Sequence, residues 1–328
     1  MTVLPSKQQA AFCALFFVAL TWHAAAHAQS DFPTRPVRFI NPYSPGGSVD
    51  LVGRAVATGL SQIWGQQVIV DNRPGAGTQI GTEMVARADG DGYTMLCNSS
   101  AIAIMPAIYR NMRFDTVRDL TPIIHAAYSA PMLGVHPSVP AKSVKELIAL
   151  AKAQPGKISA AASGIGSTNH LTAEMFQSMA GIKLLIVPYK GGAPAIADLI
   201  GGQVNMFFNS AAVFLPLIPS GRLRVLATGS ANRADYAPDI PTVAEAGVPG
   251  FEASSWFGFY GPRTLTPQLA QRWNDAVNQY LKSPQAQAYF TKQHITPVGG
   301  TRAAFASYHL SETTRWSKLV AIVGVQPQ

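Results

Sequence analysis

Short apolar runs alternate with segments of helical hydrophobic period along most of the chain, the pattern of βα units around a mostly parallel sheet. Val37–Ile40 reads as a strand, Val49–Trp64 as a helix with Val52, Ala55, Val56, Leu60 and Ile63 on one face, and Val68–Asp71 as the next strand. Thr78–Ala88 then reads as a helix, Tyr93–Asn98 as a strand and Ala101–Tyr109 as a short helix. After a connection at Phe114–Leu120, the extended runs Thr121–Ala127 and Pro131–His136 lead into a second series. Ser143 and Glu146 form a capping box ahead of the helix Val144–Ala153. The strand Ile158–Ala162, a helix from Ser167 to Met179 and the strand Leu184–Pro188 follow, then the helix Ala193–Ile200 and the strand Val204–Phe208. A Pro-bounded helix Ala211–Ile218 and the strand Leu223–Thr228 complete the series.

The strand-like run Ala253–Tyr260 precedes three helical patterns, Pro267–Leu281, Pro284–Gln293 and Arg302–Val320, with no strands of their own. Such helices must pack on an existing sheet, so the chain is expected to return to its first unit. The expected organisation is α/β with two lobes: residues 29–127 and 253–328 form a discontinuous first lobe, and 128–252 the second. A cleft between lobes is where a small ligand binds. No internal repeat of fixed period is visible.

The opening residues change where such a fold is placed. Lys7, an apolar run Ala10–Leu20 and the small-x-small site Ala26-His27-Ala28 read as a secretory signal over residues 1–28, cleaved near Ala28. A periplasmic, unanchored protein is expected, because the apolar run is shorter than the ~20 residues of a spanning helix. Cleavage leaves 300 residues, enough for two cores, and one cysteine, Cys97, so no internal disulfide. The remaining 24 Lys and Arg exceed the 17 Asp and Glu by seven, but they are dispersed and lack aromatic interleaving. Nucleic acid is therefore not an expected partner, and small anions are mildly attracted.

Three loops carry candidate chemistry. Asn41–Asp50, N-P-Y-S-P-G-G-S-V-D, joins a strand to a helix and leaves backbone N–H groups free where the helix dipole is positive. It can cradle a carboxylate without a basic side chain, although Pro42, Pro45, Gly46 and Gly47 would equally make a tight turn. Gly75-Ala76-Gly77-Thr78-Gln79-Ile80-Gly81 has the outline of a dinucleotide fingerprint. Pro74 and the absence of an acid after the next strand, Cys97-Asn98-Ser99-Ser100, leave a second cradle or a close-packed turn instead. Ser163-Gly164-Ile165-Gly166-Ser167-Thr168-Asn169-His170 opens a helix with three hydroxyls, and His170 there is either a hydrogen-bonding partner or a capping-region side chain. Lys190, in Pro188-Tyr189-Lys190-Gly191-Gly192, is an anion contact or a solvated lysine. No nucleophile elbow and no metal-ligand spacing occurs, and no cofactor is expected. An exported hydrolase or lyase using His170 with a nearby hydroxyl is the alternative to a binding protein.

Several strings occur together in a characteristic order: F-P-T-R-P-V-R-F-I-N-P-Y-S-P-G-G-S-V-D, V-I-V-D-N-R-P-G-A-G, D-G-Y-T, V-P-Y-K-G-G-A-P-A-I-A-D-L-I-G-G-Q-V, and R-V-L-A-T-G-S-A-N-R ahead of P-T-V-A-E-A-G-V-P-G-F. In these the chain resembles the Bug or TctC family, the solute-binding receptors of tripartite tricarboxylate transporters, over nearly the whole mature length. The resemblance implies a type II periplasmic binding protein without catalysis. Its ligand would be a small carboxylate, whether a di- or tricarboxylate, an aromatic acid or an amino acid, handed to membrane transporter subunits or a sensor kinase. A monomer is expected. It also implies two opposing grips, Tyr43, Gly46, Gly47 and Asp50 against Ser163, Gly164, Ser167, Thr168 and His170. Gly75, Ala76, Gly77 and Thr78, with Ser99 and Ser100, would line the first lobe. The family's first loop has a small residue or proline where Ser44 and Ser48 stand. Asp50 is the anomaly, since a carboxylate beside an anion site repels the anion unless it is spent on the helix N-terminus or on orienting a water.

Overall fold

A computed structural model describes residues 32–323 except position 235. The expected export signal, with Lys7, the Ala10–Leu20 run and the Ala26–Ala28 site, lies outside the described residues. The first sheet contains β1 (Val37–Asn41), β2 (Val68–Asn72), β3 (Thr94–Ser99), β4 (Leu120–Ser129), β10 (Ser255–Pro262) and β11 (Thr296–Pro297), in the order β11-β4-β10-β3-β1-β2. The second contains β5 (Pro131–Val135), β6 (Ser159–Ala162), β7 (Leu185–Pro188), β8 (Met206–Ser210) and β9 (Arg224–Thr228), in the order β7-β6-β8-β5-β9. Each sheet anchors one lobe.

Neither sheet is mostly parallel, contrary to the sequence pattern. β1 pairs in parallel with β2 and β3, and β6 with β7 and β8. β10 runs antiparallel to β3 and β4, β11 to β4, and β5 to β8 and β9. For β5 and β10 the cause is the pair of crossings between lobes. A strand arriving from the other lobe enters its sheet against the local direction, which hydrophobic periodicity cannot report. Only Ala130 separates β4 from β5. Beside it Gly229 N donates to Pro131 O at 2.6 Å and Ala253 N to Gly229 O at 2.8 Å, so both crossings run side by side.

The helices are α1 (Ser48–Trp64), α2 (Gln79–Ala86), α3 (Ala101–Ile108), α4 (Val144–Ala153), α5 (Thr168–Ala180), α6 (Gly192–Ile200), α7 (Ala211–Phe214), α8 (Pro267–Leu281), α9 (Pro284–Lys292) and α10 (Arg302–Val323). α1 buries Val49, Val52, Val56 and Leu60 on its apolar face. It packs against α8 where a Cβ on Gly59 would lie 1.9 Å from the Tyr280 ring, so only glycine admits this approach. The second-lobe core gathers Leu133, Leu147, Phe176, Met206, Phe208 and Phe251. α10 packs on α3 and β4, and it reaches α5 of the second lobe.

Local chemistry displaces several expected boundaries. β8 begins two residues later than expected, because the Asn205 side chain accepts from Ser159 N at 2.8 Å and Ser159 Oγ at 2.9 Å. The Ala211–Ile218 helix is α7 followed by a 3₁₀ turn at Leu215–Leu217, since Pro216 supplies no N–H. The Thr78–Ala88 helix starts later, at Gln79, after a 3₁₀ turn in which Gly77 (φ +58°) and Thr78 (φ +78°) are left-handed. In the expected capping box, Ser143 Oγ accepts from Glu146 N at 3.2 Å, but Glu146 Oε2 accepts from Lys142 N, at 2.8 Å, and not from Ser143 N. β11, two residues long, is too short for any period.

The lobes repeat one topology. β1-α1-β2-α2-β3-α3 and β6-α5-β7-α6-β8-α7 follow the same order, and in both sheets the first strand lies between the second and third. The repeat is structural, with no period in the residues.

Candidate ligand-binding site

In both lobes helices begin at the carboxyl ends of parallel strands, and these ends face each other across the cleft. They enclose a cavity of about 60 Å³. From the expected set, Tyr43, Gly47, Ser99, Ser163, Ser167 and Thr168 line it. Ser48 and Val49 of α1, Asn169 of α5, Gly192 of α6, Asn209 and Ser210 before α7, and Ser255 and Phe257 of β10 also line it. No lining side chain carries a charge. Gly47, Gly191 and Ser210 cap α1, α6 and α7 without side-chain hydrogen bonds, which leaves first-turn N–H groups free at the positive helix ends.

Tyr43 lines the cavity with its hydroxyl 2.6 Å from Ser99 Oγ. Burial pushes its phenol well above the ordinary range, against a smaller lowering by the Ser99 hydrogen bond, so it stays a neutral O–H donor. Asn98 Oδ1 accepts from Ser99 N at 2.8 Å, and Asn209 Oδ1 from Ser210 N at the same distance. The repeated Asn-Ser pair closing the third parallel strand of each lobe was the available signal for Asn209 and Ser210.

Asp50 is buried behind the loop and does not line the cavity. Its Oδ1 accepts from Asn41 Nδ2 at 3.2 Å and Asn72 Nδ2 at 2.9 Å, and its Oδ2 from Gly46 N at 3.1 Å and Arg54 Nε at 2.8 Å. Burial raises its pKa, but the hydrogen bonds from Arg54, Asn72 and Gly46 outweigh it and hold the carboxyl below its usual range. The charge is thus engaged behind the loop, by residues of β1, β2 and α1 together with the Gly46 N–H.

Other expected residues lie around the cavity. Gly164, Ala76, Gly77 and Lys190 border an outer groove with Tyr109 and Ile165. Gly75 lies against Ile80, Thr78 is buried, and Gly81 lets α2 approach Pro42 and Arg73 O. The Gly75–Gly81 string therefore builds close packing. His170 is buried, with Nδ1 accepting from Gly166 N at 3.2 Å and Nε2 3.4 Å from Glu174 Oε1. Nδ1 thus takes a hydrogen bond from the loop backbone, and Nε2 faces the Glu174 carboxylate.

The two lobes also touch directly. Ser48 Oγ is 2.7 Å from Ser210 Oγ, and Ser100 Oγ is 2.6 Å from Thr168 Oγ1. At the rim, Ser44 Oγ donates to Lys190 O at 2.8 Å and Tyr109 Oη to Ile165 O at 2.6 Å.

Two mixed α/β lobes joined by adjacent crossings and closed over a neutral, donor-lined cavity define a type II periplasmic binding protein. The chain belongs to the tripartite tricarboxylate transporter family of receptors: it matches the family described as "Tripartite tricarboxylate transporter family receptor" over residues 52–325. These are solute-binding receptors and not enzymes. Protein BugT of Bordetella pertussis is 35% identical over 312 residues, covering 94% of this chain and 96% of BugT. A UPF0065 protein from the tcbD-tcbE intergenic region of Pseudomonas sp. (strain P51) is 35% identical over 290 residues, 88% of this chain and 86% of that protein. Among solved structures, R. palustris Rpa4515 with adipate is 34% identical with a TM-score of 0.88, covering 90% of this chain and all (100%) of that one. Periplasmic binding protein BugD is 30% identical with a TM-score of 0.87, covering 90% of this chain and 100% of its own.

Proposed function

We propose that this receptor captures a small carboxylate in the interlobe cavity and presents its closed form to a tripartite tricarboxylate-type transporter or a membrane sensor. The observation that carries the reading is a neutral cavity on which uncapped helix N-termini of both lobes converge. Such a site stabilises anionic oxygens through N–H and hydroxyl donors and returns no charge of its own. Tyr43, Gly47 and Ser99 grip from the first lobe, and Ser163, Ser167 and Thr168 from the second. Gly46, Asp50, Gly164 and His170 shape the two loops, and Gly75, Ala76, Gly77, Thr78, Ser100 and Lys190 shape the closing surfaces. The relative solved with adipate supports a dicarboxylate of that kind. The moving halves are residues 29–127 with 253–328, and 128–252. The opening signal directs export and is cleaved near Ala28, and the protein acts as a monomer.

Thermal shift against di- and tricarboxylates, aromatic acids and amino acids tests this. A ligand at 100 times its dissociation constant adds about 2.7 kcal/mol, a clear rise in Tm. A panel in which no acid raises Tm overturns the reading.

A further inference from the structure

The third residue of the cleft helix reaches back to a glycine N–H in both lobes. In the first lobe Gly46 N donates to Asp50 Oδ2 at 3.1 Å, and Arg54 Nε donates to the same oxygen at 2.8 Å. In the second, Gly166 N donates to His170 Nδ1 at 3.2 Å, and Nε2 of the same ring lies 3.4 Å from Glu174 Oε1. The spacing is the same: a glycine four residues before the acceptor and a partner four residues after it. Both glycines are left-handed, with φ of +86° and +76°. The chemistry is inverted, an acid held by a base in one lobe and an imidazole held by an acid in the other. Neither acceptor lines the cavity, whereas the residues directly after each glycine, Gly47 and Ser167, do.

A histidine nitrogen accepts only while it carries no proton, so the ring proton belongs on Nε2, and Glu174 is the group placed to hold it there. We propose that His170 and Glu174 are positioning residues, the counterpart of Asp50 and Arg54. They lock the Gly164–Ser167 loop so that Ser167, Thr168 and the α5 N-terminus face the ligand. Release of the loop also moves Ile165 O away from the Tyr109 hydroxyl that it accepts at 2.6 Å.

The binding half of the test rests on the carboxylate-receptor reading, and the loop half does not. Gly166 amide hydrogen exchange is measured on the ligand-free full chain, and adipate affinity by calorimetry. His170→Ala accelerates Gly166 exchange and weakens adipate about tenfold. His170→Asn, whose Oδ1 replaces Nδ1 as acceptor, restores both. His170→Asp with Glu174→Arg rebuilds the first lobe's pair and binds within roughly threefold of the parent, while His170→Asp alone does not. Glu174→Ala frees the ring proton to move to Nδ1 and gives a smaller loss of the same kind, which decides the matter if His170→Ala does not fold. Unchanged Gly166 exchange in these variants, or no recovery in His170→Asn, overturns the proposal. A parent protein that ignores adipate counts against an adipate-type ligand only, and Gly166 exchange still decides the positioning role.

Discussion

The hydroxyl of Ser100 in the first lobe lies 2.6 Å from that of Thr168 in the second, and the repeated topology generates its counterpart. Ser48 and Thr168 are the first residues of equivalent helices, and Ser100 and Ser210 are the N-caps of the other equivalent pair. The Ser48–Ser210 contact, at 2.7 Å, is therefore the same contact seen from the other lobe. Each joins the mouth of one helix to the mouth of another, so these contacts hold the helix ends of both lobes around the cavity.

Ser100 does not line the cavity, which separates closure from ligand contact. Ser100→Ala is expected to leave Tm nearly unchanged and to weaken carboxylate binding roughly fivefold, the loss of one hydrogen bond of about 1 kcal/mol. Calorimetry on the variant checks this, and undiminished affinity would remove the contact from the closing energy.

Gly192 offers a way to fill the cavity without disturbing the fold. A Cβ there would sit 3.7 Å from Asn209 Nδ2 and from Ser163 Oγ, an ordinary contact. Gly192→Asp should fold, with its acid welcome in the first turn of α6, and should place a fixed carboxylate where the ligand's belongs. Loss of all carboxylate-induced thermal shift with a retained Tm is the expected pair of results.

Gly77 acts at the closing surface. A Cβ on it would lie 1.7 Å from Tyr109 Oη and 2.9 Å from Ile165 O, and its φ of +58° already disfavours a side chain. Gly77→Ala is expected to hold the lobes apart, seen as a larger radius of gyration by small-angle scattering with ligand present. A radius equal to the parent's would contradict a role in closure.

Acid should destabilise the first lobe through His309. Its ring packs 5.3 Å from that of Tyr260 and 6.2 Å from that of Trp256, and burial pushes its pKa down to about 4, against a smaller upward pull from Asp115. Since a free imidazole ionises near ~6.5, the unfolded chain binds more protons than the folded one between those values. Stability therefore falls as pH drops through that window, by up to about 3 kcal/mol. His125, also lowered by burial, adds in the same direction. His309→Leu should flatten the dependence of Tm on pH across about pH 6.5 to 4, and an unaltered slope would exclude the buried imidazole as its source.

Strands with a single apolar run and helices with a clean 3.6-residue period were legible from the residues, and Pro267–Leu281 and Val144–Ala153 match to the residue. So were the hydroxyl- and glycine-rich helix openings at Tyr43 and Ser163, because turn chemistry and caps act over a few positions. Strand direction was not legible, since β5 and β10 take theirs from where the chain crosses between lobes. The side-chain partners of Asp50 were not legible either, beyond its place as an acid at the helix N-terminus. Its partners Asn72 and Asn41 come from other strand ends, and only folding brings three amide and guanidinium donors and the Gly46 N–H around one carboxylate.

Local order along the chain thus settles the α/β class, the family and the two loops that face the cleft, because propensity, capping and turn geometry are short-range. Which groups line the cavity depends on contacts across the whole chain. Ser48 meets Ser210 and Ser100 meets Thr168 only where two lobes of one topology pack face to face. Long-range packing, and not the identity of any loop, turns a set of uncapped helix ends into one enclosed site.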